Sequence, residues 1–222
     1  MRSFAIIAEG VTDQAVLENI LIGYFGDEDE PVVNHFHPPR EPSDEPPAGG
    51  WTLVLRALRR NRHVEALQTN DYVVLQIDTD RCEDKGFDVS TRAPDGVVLS
   101  PEALVSKVRE RLIHEMGLDF FARHGHRVLF AVAVDSIECW LLPLLYDSEP
   151  VKKAKTTGCL DAANWKLVRI KAAPLSTADG KHKDLRAYER ASRDYAKRKV
   201  LLRHGDENPS LTLFLRELAT LS

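Results

Sequence analysis

Apolar and polar positions along the chain fall into two periods. Three runs are short and almost continuously apolar: Phe4 to Ala8, Tyr72 to Ile77 and Arg127 to Val134. Runs of that length, rich in Val, Ile and Phe, predict strands buried on both faces. Elsewhere the apolar residues recur at helical spacing. Val16, Leu17, Ile20, Leu21 and Tyr24 predict a first helix, with Thr12 placed to cap it. Trp51 to Gln68 predicts a second helix. Ser100-Pro101-Glu102 opens a third that runs to about Met116, with Ser as cap and Pro in the first turn. Ile137 to Leu145 predicts a short helix, and Ala187 to Arg203 and Ser210 to Leu221 predict two more, while Trp165 to Lys171 is ambiguous. Asp27 to Gly50, rich in acid, Pro and Gly, reads mostly as an excursion with a short strand at Val32 to Phe36, and Cys82 to Gly96 reads as a loop. Strands alternating with helices predict an α/β fold, a mostly parallel sheet flanked by helices. The expected organisation is one structural unit: an α/β core over 1–146 and a basic, mostly helical extension over 147–222.

Composition adds little until charge is resolved along the chain. The 222 residues are 43% hydrophobic and 29% charged, as in a globular protein with a sizeable core. The net charge of −4 hides an asymmetry. Val151 to His204 holds 15 Lys/Arg against 5 Asp/Glu, so the rest of the chain is strongly acidic. A basic third on an acidic body suits a polyanion-binding metal enzyme, and also a solvated helical surface. Cys82, Cys139 and Cys159 form no CxxC pair, so neither a disulfide framework nor a zinc ribbon is expected. The opening MRSFAIIAEG is too soon acidic for a signal peptide, and Asp135, Ser136 and Glu138 interrupt the longest apolar stretch. No membrane association and a reducing cytoplasm are the expectations.

The chemistry lies where apolar strands end in acids. Glu9-Gly10-Val11-Thr12-Asp13 follows the first strand, and Asp78-Thr79-Asp80 follows the run at Tyr72 to Ile77. Ligands of open α/β sheets bind beyond the carboxyl ends of the strands. If these strands are neighbours, Glu9, Asp78 and Asp80 converge. Two residues apart on extended chain, Asp78 and Asp80 would point to one side, and Gly10 would let the backbone turn tightly beside them. Clustered carboxylates repel one another, and a hard cation relieves the repulsion. Mg²⁺ (or Mn²⁺) fits better than Zn²⁺, because these motifs supply no His or Cys.

In this order and spacing, the two motifs resemble those of the Toprim family, shared by topoisomerases, bacterial primases, recombination mediators and overcoming-lysogenisation-defect nucleases. The resemblance covers Phe4 to Ile77 and the Asp78-Thr79-Asp80 turn. It implies a Toprim-like, Rossmann-like sheet and Mg²⁺-dependent cleavage of phosphodiester bonds, with Glu9 as general base or acid and Glu9, Asp78 and Asp80 as metal ligands. Asp135-Ser136-Ile137-Glu138-Cys139-Trp140-Leu141-Leu142 is similar to the Glu-x-Trp-Leu signature of small bacterial Toprim-like proteins, often encoded beside ATPases and some tied to phage defence. That implies a further metal ligand or water-orienting base at Glu138, with Gly10, Asp13 and Asp135 supporting the ligands. It also implies a cytoplasmic nuclease acting on DNA or RNA, alongside a separately encoded ATPase. A plain alternative is a helix-start carboxylate at Glu138 with Trp140 in the core. A lysine from outside the carboxylate motifs assists at the phosphate in the OLD-type nucleases, and Lys183 and Lys197 are the candidates for that role. Lys181, Lys183, Arg186, Arg190, Arg193 and Lys197 form the candidate nucleic-acid face.

Other signals carry no chemistry. His35-Phe36-His37 and His124-Gly125-His126 lack partners at zinc spacing. Gly180-Lys181 lacks the surroundings of a phosphate loop, and Ser136 and Ser176 have no evident His partner. Two alternatives stay open: a catalytically idle Toprim-like subunit that binds a protein or nucleic acid, and a Toprim enzyme of the ribosomal RNA maturase or primase kind.

Overall fold

The computed structural model describes residues 1–26, 30–39, 50–180 and 182–221. Lys181 and most of the Asp27 to Gly50 excursion lie outside them. Four strands form one parallel sheet: β1 Ser3–Ile7, β2 Val32–His37, β3 Tyr72–Asp78 and β4 Val128–Ala133, in the order β2-β1-β3-β4. The chain leaves β1 for β2 on one side and later returns to place β3 on the other. Between the carboxyl ends of β1 and β3 the winding reverses, and that crevice is where open α/β sheets bind ligands.

Alternate strand residues feed two separate cores. Phe4, Ile6, Ala8, Val74, Leu129, Ala131 and Ala133 pack to one face, together with α1 (Val11–Phe25), α6 (Glu138–Leu145) and residues of the C-terminal helices. Ala5, Ile7, Val73, Leu75, Ile77, Val128, Phe130 and Val132 pack to the other, against α2 (Trp51–Arg59), α3 (Arg62–Thr69) and α4 (Pro101–Met116). Both faces are covered, so β4 and most of β1 and β3 are apolar, while the edge strand β2 (VVNHFH) mixes polar and apolar residues.

Local signals fix several helix ends. Ser100 caps α4 by accepting from Ala103 N at 3.2 Å, as its position before Pro101 predicts. Thr12 does not cap α1. Gly10 holds the N-cap position with no side-chain cap, and the Thr12 hydroxyl donates to Asp13 Oδ2 at 3.1 Å. The stretch Trp51 to Gln68 is two helices, because Asn61 adopts a left-handed conformation (φ 57°) between them. After α5 (Leu118–His124) and β4, the chain is helical: α6, α7 (Pro150–Lys153), α8 (Cys159–Arg169), α9 (Leu185–Ser192), α10 (Arg198–His204) and α11 (Pro209–Ala219). The expected helix over Ala187 to Arg203 is broken by a 3-10 turn at Arg193–Ala196. Tyr188, Tyr195, Leu211 and Phe214 share a core with the β1 and β4 side chains, so the extension and the sheet are packed together. Among the described residues, no helix is long and apolar enough to cross a membrane.

Candidate functional site

The site assembles at the reversal between β1 and β3. Beyond β1, Glu9 turns the chain into α1, and its Oε1 accepts the Asp78 N–H at 2.8 Å. Gln76, buried on β3, closes the joint from below: its Oε1 accepts the Glu9 N–H at 3.1 Å and its Nε2 donates to Asp78 Oδ1 at 2.8 Å. The same Asp78 oxygen accepts the Ile137 N–H at 3.0 Å, which brings the start of α6 to the end of β3. Glu138 is therefore delivered to the cluster by backbone placement. Gly10 lets the chain pass close to Asp13: a Cβ there would lie 2.9 Å from Asp13 Oδ2, and that carboxylate would have to shift.

Asp80 stands differently from Asp78. The strand ends at Asp78, and the N–H groups of Thr79 (3.0 Å) and Asp80 (2.9 Å) both turn to the Asp135 carbonyl. Asp78 and Asp80 are thus not two residues of one extended face. Asp78 is buried, while Asp80 is exposed at the mouth of a cleft of about 320 Å³ shared with Thr79 and Asp135. Asp135 adopts a left-handed conformation (φ 68°), its N–H donates to Thr79 Oγ1 at 2.9 Å, and its carboxylate accepts the Cys159 N–H. It shapes the turn that carries Asp80.

Asp13 sits deeper than a supporting residue would. It is 2% exposed, and its Oδ1 has no hydrogen-bond partner among the described residues. Glu138, 1% exposed, is paired: Lys183 Nζ lies 2.8 Å from its Oε1, and the Tyr188 hydroxyl donates to the same oxygen. An antiparallel bridge between Ser176 and Lys183 holds the lysine in place, and Asp184 then caps α9. Among the described residues, Lys183 is the lysine that the fold brings to the carboxylates. Lys197 is exposed and pairs with Asp194 at 2.7 Å, and none of its contacts among the described residues reaches the cluster. Arg186, Arg190 and Arg193 are exposed on and just after α9. Trp140 belongs to the core, stacked on Phe214 with its Nε1 donating to Ser210.

Titration reflects the crowding. Burial, then the charges of Asp13 and Asp80, push Glu9 up to about 8 in spite of the Asp78 N–H. Burial lifts Asp13 to about 6, with Lys183 opposing and Glu138 adding. Asp78 is raised well above the usual range by burial and by Glu9, Asp13 and Glu138. Asp80 is raised by burial and Asp135. Glu138 goes the other way: burial works against its charge, but the Lys183 ammonium outweighs it and holds the carboxyl below its ordinary value. For Glu9, burial leads and the neighbouring anions come second.

Among the described residues, Glu9, Asp13, Asp78 and Glu138 share one lysine, so negative charge is in excess there. The donors are all oxygens, and a buried Asp13 oxygen lacks a partner. That set fits a hard divalent cation held by Glu9, Asp78 and Asp80, with Asp13 beside them. Asp135, Cys139 and Cys159 also cluster, but Cys139 and Cys159 form a disulfide with Cα atoms 4.9 Å apart. This corrects the expectation, drawn from the lack of a CxxC pair, that no disulfide forms. A separation of 20 residues gives no sign that α6 and α8 start side by side.

Sequence reasoning missed Gln76, Tyr188 and Thr79. Gln76 had a signal, as the single amide in the apolar run YVVLQI. Tyr188 had none, since one tyrosine in a helix usually packs in a core. Compared with protein families, curated proteins and solved structures, the chain matches none.

Proposed function

We propose that the protein is a Toprim-type, Mg²⁺- or Mn²⁺-dependent nuclease that cleaves phosphodiester bonds of DNA or RNA. The observation that carries this reading is the convergence of Glu9, Asp13, Asp78 and Glu138 with Lys183 at the β1–β3 reversal. Glu9, Asp78 and Asp80 would hold the cation, which supplies charge neutralisation at the phosphate and acidifies a water bound to it.

The chain's own residues supply the rest. Glu9 titrates near neutral pH and has Oε2 without a hydrogen-bond partner among the described residues, so it can take a proton from an attacking water and return it to the leaving oxygen. The Asp78 N–H holds the carboxylate of Glu9, and Gln76 holds its backbone N–H. Lys183 keeps Glu138 ionised and presents a positive charge where a phosphoryl oxygen would gain negative charge. Arg186, Arg190 and Arg193 on the following helix offer screened contacts to neighbouring phosphates.

The test is cleavage of labelled DNA and RNA with Mg²⁺, with Mn²⁺ and with excess EDTA, for the wild type, Asp78→Ala and Asp80→Ala. Activity in metal alone, lost in both variants, is the expected outcome. Full activity in EDTA would overturn the reading. A wild type that neither cleaves nor is stabilised by Mg²⁺ would leave Lys183 as the cluster's resident cation and favour an idle subunit.

A further inference from the structure

We infer that Asp135, Cys139 and Cys159 form a zinc site when the cysteines are reduced, so that the disulfide and the ion are alternative fastenings of one place. The inference is independent of the nuclease reading. It concerns sulfur ligands outside the Glu9–Asp78 cluster, and its test involves no cleavage. The three side chains come from one turn and two helix starts. Asp135 stands in the turn after β4, Cys139 is the second residue of α6, and Cys159 opens α8. One ligand atom from each lies within 4.8 Å of the others. Asp135 is half-buried, and both cysteines are buried.

Oxygens face both sulfurs. Asp135 Oδ2 lies 3.7 Å from Cys139 Sγ, and the Lys155 carbonyl oxygen lies 3.6 Å from Cys159 Sγ. A disulfide sulfur has no proton to offer, so the oxidised pair gives these oxygens no hydrogen bond. A thiol would donate to them. A cation held by two thiolates would gain more, because it takes an oxygen as a further ligand. On a tetrahedral zinc, with bonds of about 2.3 Å to sulfur and about 2.1 Å to oxygen, a sulfur and an oxygen stand about 3.6 Å apart. Asp135 is already at that spacing from Cys139. Thiolates select zinc over the hard cations that suit the all-oxygen cluster at Glu9. The fourth position falls to the Lys155 carbonyl or to water. Asp135 also lines the cleft of about 320 Å³, which gives the ion and a water a way in.

The neighbourhood holds without the S–S bond. Asn208, buried, donates to the carbonyls of both Cys139 (3.4 Å) and Lys155 (3.3 Å). The Cys159 N–H donates to Asp135 Oδ2 at 3.2 Å, and the Tyr146 hydroxyl, just after α6, donates to the Ala162 carbonyl on α8 at 2.8 Å. Reduced cysteines therefore stay neighbours. The exchange balances. A dithiol passes two electrons and two protons to the S–S bond, closes to its own disulfide and leaves two thiols. Zn²⁺ then binds both as thiolates and releases their two protons to water.

The experiment uses Co²⁺ as a spectroscopic stand-in for zinc. The full chain is freed of metal, reduced with a phosphine, checked by thiol titration after unfolding, and titrated with Co²⁺ and then with Zn²⁺. The expected result is near-ultraviolet charge transfer from thiolate to cobalt with the intense visible bands of tetrahedral cobalt, both lost on adding one equivalent of Zn²⁺. The oxidised chain and Cys139→Ser/Cys159→Ser should show neither signal, while Cys82→Ser should show both. Asp135→Asn should weaken Co²⁺ binding roughly tenfold or more. Cobalt held by the oxygens around Glu9 would give weak bands and no charge transfer, so the two places are told apart. If circular dichroism shows that reduction unfolds the metal-free chain, refolding on addition of Zn²⁺ supports the site and failure to refold overturns it. A folded, reduced chain without charge transfer would overturn it too, as would a signal retained in the double cysteine variant, unchanged affinity in Asp135→Asn, or a pair that the phosphine cannot reduce.

Discussion

Glu9 gives one oxygen to the Asp78 N–H and has the rest of its carboxyl buried among anions, so its titration is coupled to folding. Its ordinary value is 4.5, and in the folded chain it is about 8. Between those values the folded state keeps a proton that the unfolded state has released. Stability is therefore fully present below the lower value and is lost as pH rises through the upper one. Asp13, raised from 3.8 to about 6, adds a loss of the same sign over a more acidic window. The metal-free protein should melt at progressively lower temperature as pH rises from about 5 to about 9. Glutamine at position 9 can still accept the Asp78 N–H but cannot ionise. Glu9→Gln should flatten that decline and stabilise the metal-free protein at the alkaline end by about 1–2 kcal/mol, while abolishing cleavage. Melting curves of the two proteins across pH are the check. A variant less stable than wild type at every pH would make Glu9 a structural group.

Lys183 and Glu138 form a pair of the opposite kind. Removing one charge from a buried pair leaves the other unmatched, which costs about 3–5 kcal/mol, whereas removing both costs far less. Lys183 is about one-third exposed on its outer side, so a loss just below that range, about 2–3 kcal/mol, is expected for Lys183→Met. Denaturant titrations of Lys183→Met, Glu138→Gln and the double variant give the coupling directly. Additive losses would mean that the pair is incidental. The sequence placed Lys183 and Lys197 on equal footing. Nothing local separated them, because the distinction comes from an antiparallel bridge to Ser176 that carries no hydrophobic period.

At the scale of elements, the strands were legible and their partners partly so. β1, β3 and β4 stand where continuous apolar runs occur, because a strand covered on both faces must be apolar at every position. The neighbouring of β1 and β3 was a condition in the sequence reading, and the fold supplies it. The break at Asn61 and the turn at Arg193–Ala196 were hidden because apolar spacing continues across them. The disulfide was hidden for the same reason as the lysine, being a contact between helix starts far apart in the chain. It closes a loop of about 20 residues, for which chain entropy gives about 3 kcal/mol of stabilisation. Cys139→Ser/Cys159→Ser should lower the melting temperature, by about 2–4 °C per kcal/mol for a chain of this size. Calorimetry of the variant and of the chemically reduced wild type should agree. A variant that melts with the oxidised wild type would show that the tether contributes nothing.

Across the whole molecule, charge and fold divide the work. The basic third is helical, packs into the core shared with β1 and β4, and sends Lys183 into the acidic centre. Adding Mg²⁺ should raise the melting temperature of the wild type, more at alkaline than at acid pH, because the carboxylates must lose protons before they bind a cation. The same addition should shift Glu9→Gln less. An equal shift in both proteins would place the cation elsewhere.

The order of the site residues along the chain has a consequence for synthesis. Glu9, Asp78, Glu138 and Lys183 arrive in that order, and the lysine that balances the buried anions comes with the last fifth of the 222 residues. On the ribosome, a partial chain can pair β1 with β3 but holds its carboxylates without their counter-charge. The complete cluster cannot exist on a nascent chain or a fragment that stops before Lys183. For the nuclease we propose, activity would thus wait until Lys183 has joined the carboxylates.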